Sequence, residues 1–201
     1  MTTTNRSLAS GTILHLADST KRKWAHGDVR EIGAGKLGTD ATLLPAEGTE
    51  WDWRLSVASI EAAGEFTPYE GFDRTLTVIA GELLELTIDG SAHAVEALRP
   101  LRFSGGSAVA AGLPTGDVLA LNLITRAGAV RGNVRIVELS KKREQHLFGA
   151  QFGVMLQGKA TVLRADSEVP LELRDTVVGG EEDSPRIMGR GFMAVVSLDL
   201  P

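Results

Sequence analysis

The sequence of 201 residues contains no cysteine, which excludes disulfides, thiolate nucleophiles and cysteine-ligated zinc together and fits a reducing compartment. A basic surplus is missing too: 21 lysines and arginines stand against 26 aspartates and glutamates, for a net charge of -5. Such a balance cannot displace counterions from a phosphate backbone, so nucleic acid is not expected as a partner. No run approaches the ~20 apolar residues of a membrane span. The opening MTTTNRSLAS has neither the charged start nor the apolar centre of a secretory signal. These absences predict a cytoplasmic protein with no membrane partner.

Histidine is scarce as well. His15, His26, His93 and His146 lie far apart, no two of them at i, i+2 or i, i+4, and no carboxylate completes a familiar ligand spacing. No metal and no cofactor is therefore expected. His93 is the best placed of the four, since it follows a hairpin signal that would bring it to a barrel mouth. No GxSxG elbow surrounds a serine, and EIGAGKLG lacks the strand-to-helix setting of a dinucleotide loop. Ser104, Gly105 and Gly106 read as a turn, with an anion-binding nest as the sharper alternative. Glu181, Glu182 and Asp183 read as a solvated loop, and Lys141, Lys142 and Arg143 as a solvated connector.

What the chain does have is glycine, 23 residues of it, spaced between short runs rich in valine, leucine, isoleucine and threonine. RTLTVIAGELLELTIDG reads as a meander with turns at Gly81 and at Asp89-Gly90. Only KKREQHLFGA, residues 141–150, suggests a helical turn. VIAGELLEL and MLQGKATVL repeat an apolar run, a glycine and a second apolar run, with Gly81 and Gly158 as corresponding turns. The expected fold is all-β: a bicupin of two cupin-like barrels in one globule. The first half spans 1–138, and the second, 139–201, is completed by amino-terminal strands.

Within these strands a few polar residues stand out. WDWRLSVASI alternates Trp51, Trp53, Leu55 and Val57 with Asp52, Arg54, Ser56 and Ala58, as an extended chain with two different faces would. A guanidinium among apolar neighbours must find a carboxylate, carbonyls or an anionic ligand. Arg54 and Arg74 both raise that requirement, and an ion pair satisfies it as well as a ligand does. Pointing into one barrel, the two would form a charge-assisted receptor for a carboxylate. Asn122, in VLALNLI, is the third intruder, able either to read a ligand or to bond to neighbouring backbone.

At these residues the chain resembles the HutD/Ves family of bicupins. The likeness rests on Trp53-Arg54-Leu55-Ser56 with Ala58, Gly64-Glu65-Phe66-Thr67, Gly71-Phe72-Asp73-Arg74-Thr75-Leu76, Phe103 with Gly105, and Leu121-Asn122-Leu123 followed by Arg126. Trp24, Gly27 and Glu31 fit the family's opening segment. The chain departs from the pattern at Gly106, where an acidic residue is usual, and at Ala120, where an aspartate is. The resemblance implies a bicupin without bound metal, associated in some members with histidine utilisation and in others with cold or stress response. It implies a non-catalytic binder of a small carboxylate, formylglutamate or urocanate, through Arg54, Ser56, Arg74, Asn122, Phe66 and His93. A cupin isomerase or metal-dependent oxygenase, and a stress-response interaction protein, are the competing classes. A free β-edge leaves room for a homodimer.

Overall fold

The computed structural model describes residues 8–46, 50–164 and 167–201; the opening residues 1–7, read above for a signal, lie outside them. Among the described residues the secondary structure is β-strand throughout, apart from one 3-10 turn at Leu16–Asp18. No helix among the described residues is long and apolar enough to cross a membrane.

Three sheets form. The first contains β2 (Lys21–Trp24), β3 (Gly27–Leu37), β4 (Leu43–Pro45), β5 (Trp53–Ile60), β7 (Phe72–Ala80), β10 (Leu101–Ser104) and β12 (Val118–Arg126), ordered β10-β7-β12-β5-β3-β2 with β4 on β3. The second is β6 (Gly64–Glu65), β11 (Val109–Gly112), β8 (Leu83–Ile88) and β9 (Ser91–Glu96), in that order. The third holds β1 (Ile13–Leu14), β13 (Arg131–Leu139), β14 (Gln145–His146), β15 (Gln151–Leu163), β16 (Glu168–Leu171), β17 (Thr176–Val178) and β18 (Arg186–Asp199). Two strands cross the division at residue 138. Ile13–Leu14 pairs with Val177 and Thr176, and Arg131–Leu139 pairs with residues 191–199 of β18.

The alternation in β5 separates two buried faces, because the first sheet is covered on both sides. Trp53, Leu55 and Val57 join Leu121, Leu123, Phe152, Val154 and Val196 in an apolar layer between the first and third sheets. On the opposite side, Leu76, Val78, Val118 and Ala120 pack against Leu84, Leu86, Val95 and Val109 of the second sheet. A third cluster, with Leu147, Met155, Val162, Ile187, Met193 and Val195, fills the interior of the carboxy-terminal half. Trp53 and Phe152 meet at 5.2 Å between ring centroids, which locks the two halves through their largest side chains.

Two sequence expectations need correction. Residues 141–150 form no helical turn: Gln145 and His146 pair with Ile187 and Arg186, and the fully buried Leu147 anchors the segment in the third cluster. Tertiary packing outweighs local preference there. Gly158 ends no strand, for β15 runs through it from Gln151 to Leu163. It takes φ +91° opposite Gly191, and a Cβ on it would lie 2.0 Å from the Arg190 carbonyl oxygen. The glycine bends one strand where two backbones nearly touch. Gly81, at φ +89°, is the corresponding bend, carrying the chain from β7 of the first sheet into β8 of the second.

Candidate functional site

Side chains on the inner face of the first sheet line a cavity of about 270 Å³. The registers explain its composition. Arg54 and Arg74 lie opposite Ile124 from either side, Ser56 and Leu76 lie opposite Asn122, and Ala58 and Val78 lie opposite Ala120. The walls therefore carry two guanidiniums near one end, a hydroxyl and an amide in the middle, and small apolar groups at the other. Arg54, Ser56, Arg74, Asn122 and Phe66 all line the cavity, together with Val29, Ala58, Trp24, Tyr69 and Ile124. His93 does not. It sits on β9 opposite Leu86 in the second sheet, because Asp89-Gly90 turns the chain tightly and sends β9 along the outer side of β8.

The two arginines find different partners. Arg54 Nε donates to Glu31 Oε2 at 3.1 Å, and both side chains are largely enclosed, at 15% and 11% exposure. A bulge in β3 between Glu31 and Gly33 sets Glu31 opposite Ser56 while turning Ile32 into the layer between the sheets. Arg74 has no carboxylate partner among the described residues. Its Nε and Nη2 donate to Asn122 Oδ1 at 3.1 and 2.7 Å. The Phe66 and Phe103 rings lie 4.7 and 5.7 Å from its guanidinium carbon. Protein encloses the charged end closely while one edge opens on the cavity, which is why the residue as a whole is only half-buried. Burial pushes its pKa down to about 10; Tyr69 opposes the shift and the nearby positive charge of Arg54 adds to it. Arg74 is charged at neutral pH. Among the described residues, no acceptor lies within hydrogen-bonding reach of Arg54 Nη1 and Nη2 or of Arg74 Nη1.

The mouth is basic. Arg22 and Lys23 line it, and Lys21 and Lys23 hold Asp28 at 2.5 and 3.0 Å, keeping that carboxyl below the usual carboxylate range. One wall is a ring cluster: Trp24 lies edge-on to Phe66 at 5.5 Å and to His26 at 5.0 Å, with its indole nitrogen donating to the Ser59 carbonyl. The arrangement offers directed donors at one end and flat apolar walls along the rest, which suits a small organic anion. Among the described residues no group of three or more His, Asp or Glu side chains gathers as a metal site would require. The Ser104-Gly105-Gly106 segment is a turn whose amides are already bonded: Gly105 N donates to the Phe72 carbonyl and Gly106 N to Ser104 Oγ. At Gly106 the Glu70 carboxylate occupies the space that a side chain would take.

Tyr69, Val29 and the counterion role of Glu31 escape a reading along the chain. Glu31 is 23 residues from Arg54, and only the pairing of β3 with β5 brings them together. Tyr69 sits in the connection between β6 and β7, where no periodic pattern marks a wall residue.

Fold and pocket together define an all-β bicupin with a cavity of apolar walls and a few polar groups in its amino-terminal half. The chain matches the HutD family over residues 17–195, and it belongs to that family. It is 32% identical over 125 residues to Protein Ves of Escherichia fergusonii, a stretch covering 61% of this chain and 63% of that protein, just under two thirds of its length. The solved HutD of Pseudomonas fluorescens SBW25 superposes with a TM-score of 0.72 at 24% identity, covering 94% of this chain and 98% of that one. A conserved protein of unknown function from Pseudomonas aeruginosa PAO1 superposes with a TM-score of 0.79 at 21% identity, covering 95% and 100%. Both structures share the fold.

Proposed function

We propose that the chain is a non-catalytic binder of a small carboxylate that modulates histidine utilisation, with formylglutamate or urocanate as the first acids to try. The observation that carries this reading is Arg74: a half-buried, charged guanidinium whose only polar partner among the described residues is a neutral amide, beside a second guanidinium with free donors. An uncompensated buried charge is costly, and a carboxylate entering the cavity relieves that cost. The family name and the solved HutD support the pathway. In this reading Arg74 and Arg54 hold the carboxylate, Ser56 supplies a hydroxyl, and Phe66, Trp24 and Tyr69 cover the body of the acid.

Thermal unfolding with each acid, alone and beside its neutral amide, is the test. A carboxylate present at ~100 times its dissociation constant should stabilise the protein by ~2.7 kcal/mol, and the amide should not. Arg74→Gln should abolish the shift while the protein stays folded. No stabilisation by any small carboxylate, or an undiminished shift in Arg74→Gln, rejects the site.

A further inference from the structure

Arg54 and Arg74 stand in the same row of the sheet, on either side of Ile124, yet they are held in opposite ways. Arg54 ends on a carboxylate, so that its charge and that of Glu31 cancel. Arg74 ends on Asn122, in a bond that takes both available donors on one side of the guanidinium. The two arginine donors require the amide oxygen on that side, which settles the orientation of the amide. Asn122 lies in the central strand between Ser56 and Leu76, is buried, and sends its Nδ2 to the Ala120 carbonyl at 3.3 Å. Its Oδ1 is taken up by the two Arg74 donors and one Nδ2 hydrogen by the Ala120 carbonyl, so its first effect is to hold Arg74. It is a positioning residue.

Aspartate has nearly the same size and shape as asparagine and would present a full negative charge in the same place. It would complete the ion pair that a buried arginine ordinarily makes. The sequence places a neutral acceptor there instead. With Arg54 and Glu31 cancelled, one positive charge remains among these four side chains. Phe66 and Phe103 lie against the Arg74 guanidinium, and its Nη1 edge is the one left for an anion.

We propose that Asn122 sets the charge selectivity of the pocket: its neutral amide oxygen fixes the Arg74 guanidinium without neutralising it, leaving one positive charge for the carboxylate of a small monoanionic acid. The inference rests on the carboxylate reading above and narrows it. The ring and aliphatic lining from Phe66, Trp24, Tyr69, Val29 and Ile124 favours an acid with a planar, weakly polar body. Asn122 thus holds apart two properties that one residue could have joined, stability of the empty protein and affinity for the anion.

The test compares the parent chain with N122D, using benzoate and its uncharged isostere benzamide as probes in calorimetric titration, and thermal unfolding without ligand. The parent should bind benzoate in clear preference to benzamide. N122D should bind benzoate roughly 30-fold more weakly, the order of effect carried by a close, desolvated charge. Its ligand-free midpoint should stay within a few degrees of the parent's, because the cation gains a counterion while the Nδ2 bond to the Ala120 carbonyl is lost. If N122D binds benzoate as the parent does, the proposal falls and the carboxylate reading stands. If N122D does not fold, the proposal falls as well. A parent that binds neither probe overturns this inference, and only a blank with every acid of the thermal screen overturns the carboxylate reading itself.

Discussion

The amino- and carboxy-terminal halves repeat one pattern of strand pairing and use its interior in opposite ways. In the first half, Val78 pairs with Ala120, the register slips at Ile79, and Ala80 pairs with Leu119. In the second, Met155 pairs with Met193, the register slips at Leu156, and Gln157 pairs with Phe192. Gly81 and Gly158 follow at the same distance, so the halves align residue by residue: Arg74 corresponds to Gln151, Asn122 to Val195, Ile124 to Ser197 and Ala120 to Met193. At the position of Arg74 the second half has a neutral amide with its bonds made, Gln151 Nε2 donating to Ser197 Oγ and Oε1 accepting from Phe148 N. Where the first half keeps alanine, the second has methionine. Leu147 is pressed so closely on Gly153 that a Cβ there would lie 2.7 Å from its methyl group. One barrel is filled and the other kept open. A shared backbone therefore does not open a cavity; the volume and charge of a few inward positions do.

Changes that exchange properties between the halves test this contrast. The largest effect on stability is expected at Met193→Ala, which puts the first half's alanine into the filled barrel. Denaturant unfolding should show a loss of ~2–5 kcal/mol from the cavity left behind, while carboxylate binding stays unchanged. Weaker binding would mean that the halves are coupled.

Glu31→Gln comes next. It removes the charge that cancels Arg54, so stability should fall by about 1–3 kcal/mol. Carboxylate affinity should rise several-fold as a second positive charge becomes available. An affinity that falls instead would show that Glu31 holds Arg54 in its binding position rather than competing for it.

The smallest effect is expected from pH. Arg74, held at about 10 by burial, stays charged through neutrality. Calorimetric affinity should accordingly be flat from about pH 6 to about pH 9. Burial holds the Arg74 pKa in the folded protein, about 10, below that of the unfolded chain, so above pH 10 the folded state binds fewer protons. Binding should therefore weaken in that window, and ligand-free stability should rise. A drop in affinity near pH 6.5 would instead bring a histidine into the site.

Much of this was legible along the chain. The alternation in WDWRLSVASI marked β5 and separated Arg54 and Ser56 from the tryptophan face, and VLALNLI marked the strand of Asn122. Arg74, Phe66 and Asn122 were reachable as polar or aromatic members of recognisable blocks. Strands of mixed or charged composition were not. Lys21–Trp24 carries three cations yet forms the edge strand β2, where charge is tolerated because one side of the ladder faces away from the sheet. His93 was drawn to the pocket by its hairpin, but a hairpin does not say on which side of its neighbour the second strand will lie. Gly158 looked like a turn because a glycine between apolar runs marks a bend equally well.

Composition and periodicity were enough to determine an all-β chain and the small set of polar residues that had to find partners, since strand patterning and the cost of burying a charge are local properties. Only the tertiary structure decided which partners they found. Glu31 reaches Arg54 across 23 residues and Asn122 reaches Arg74 across 48, through strand registers set by bulges and by the packing of three sheets. That choice, a carboxylate for one arginine and an amide for the other, is what leaves the first barrel with a charge still to be answered.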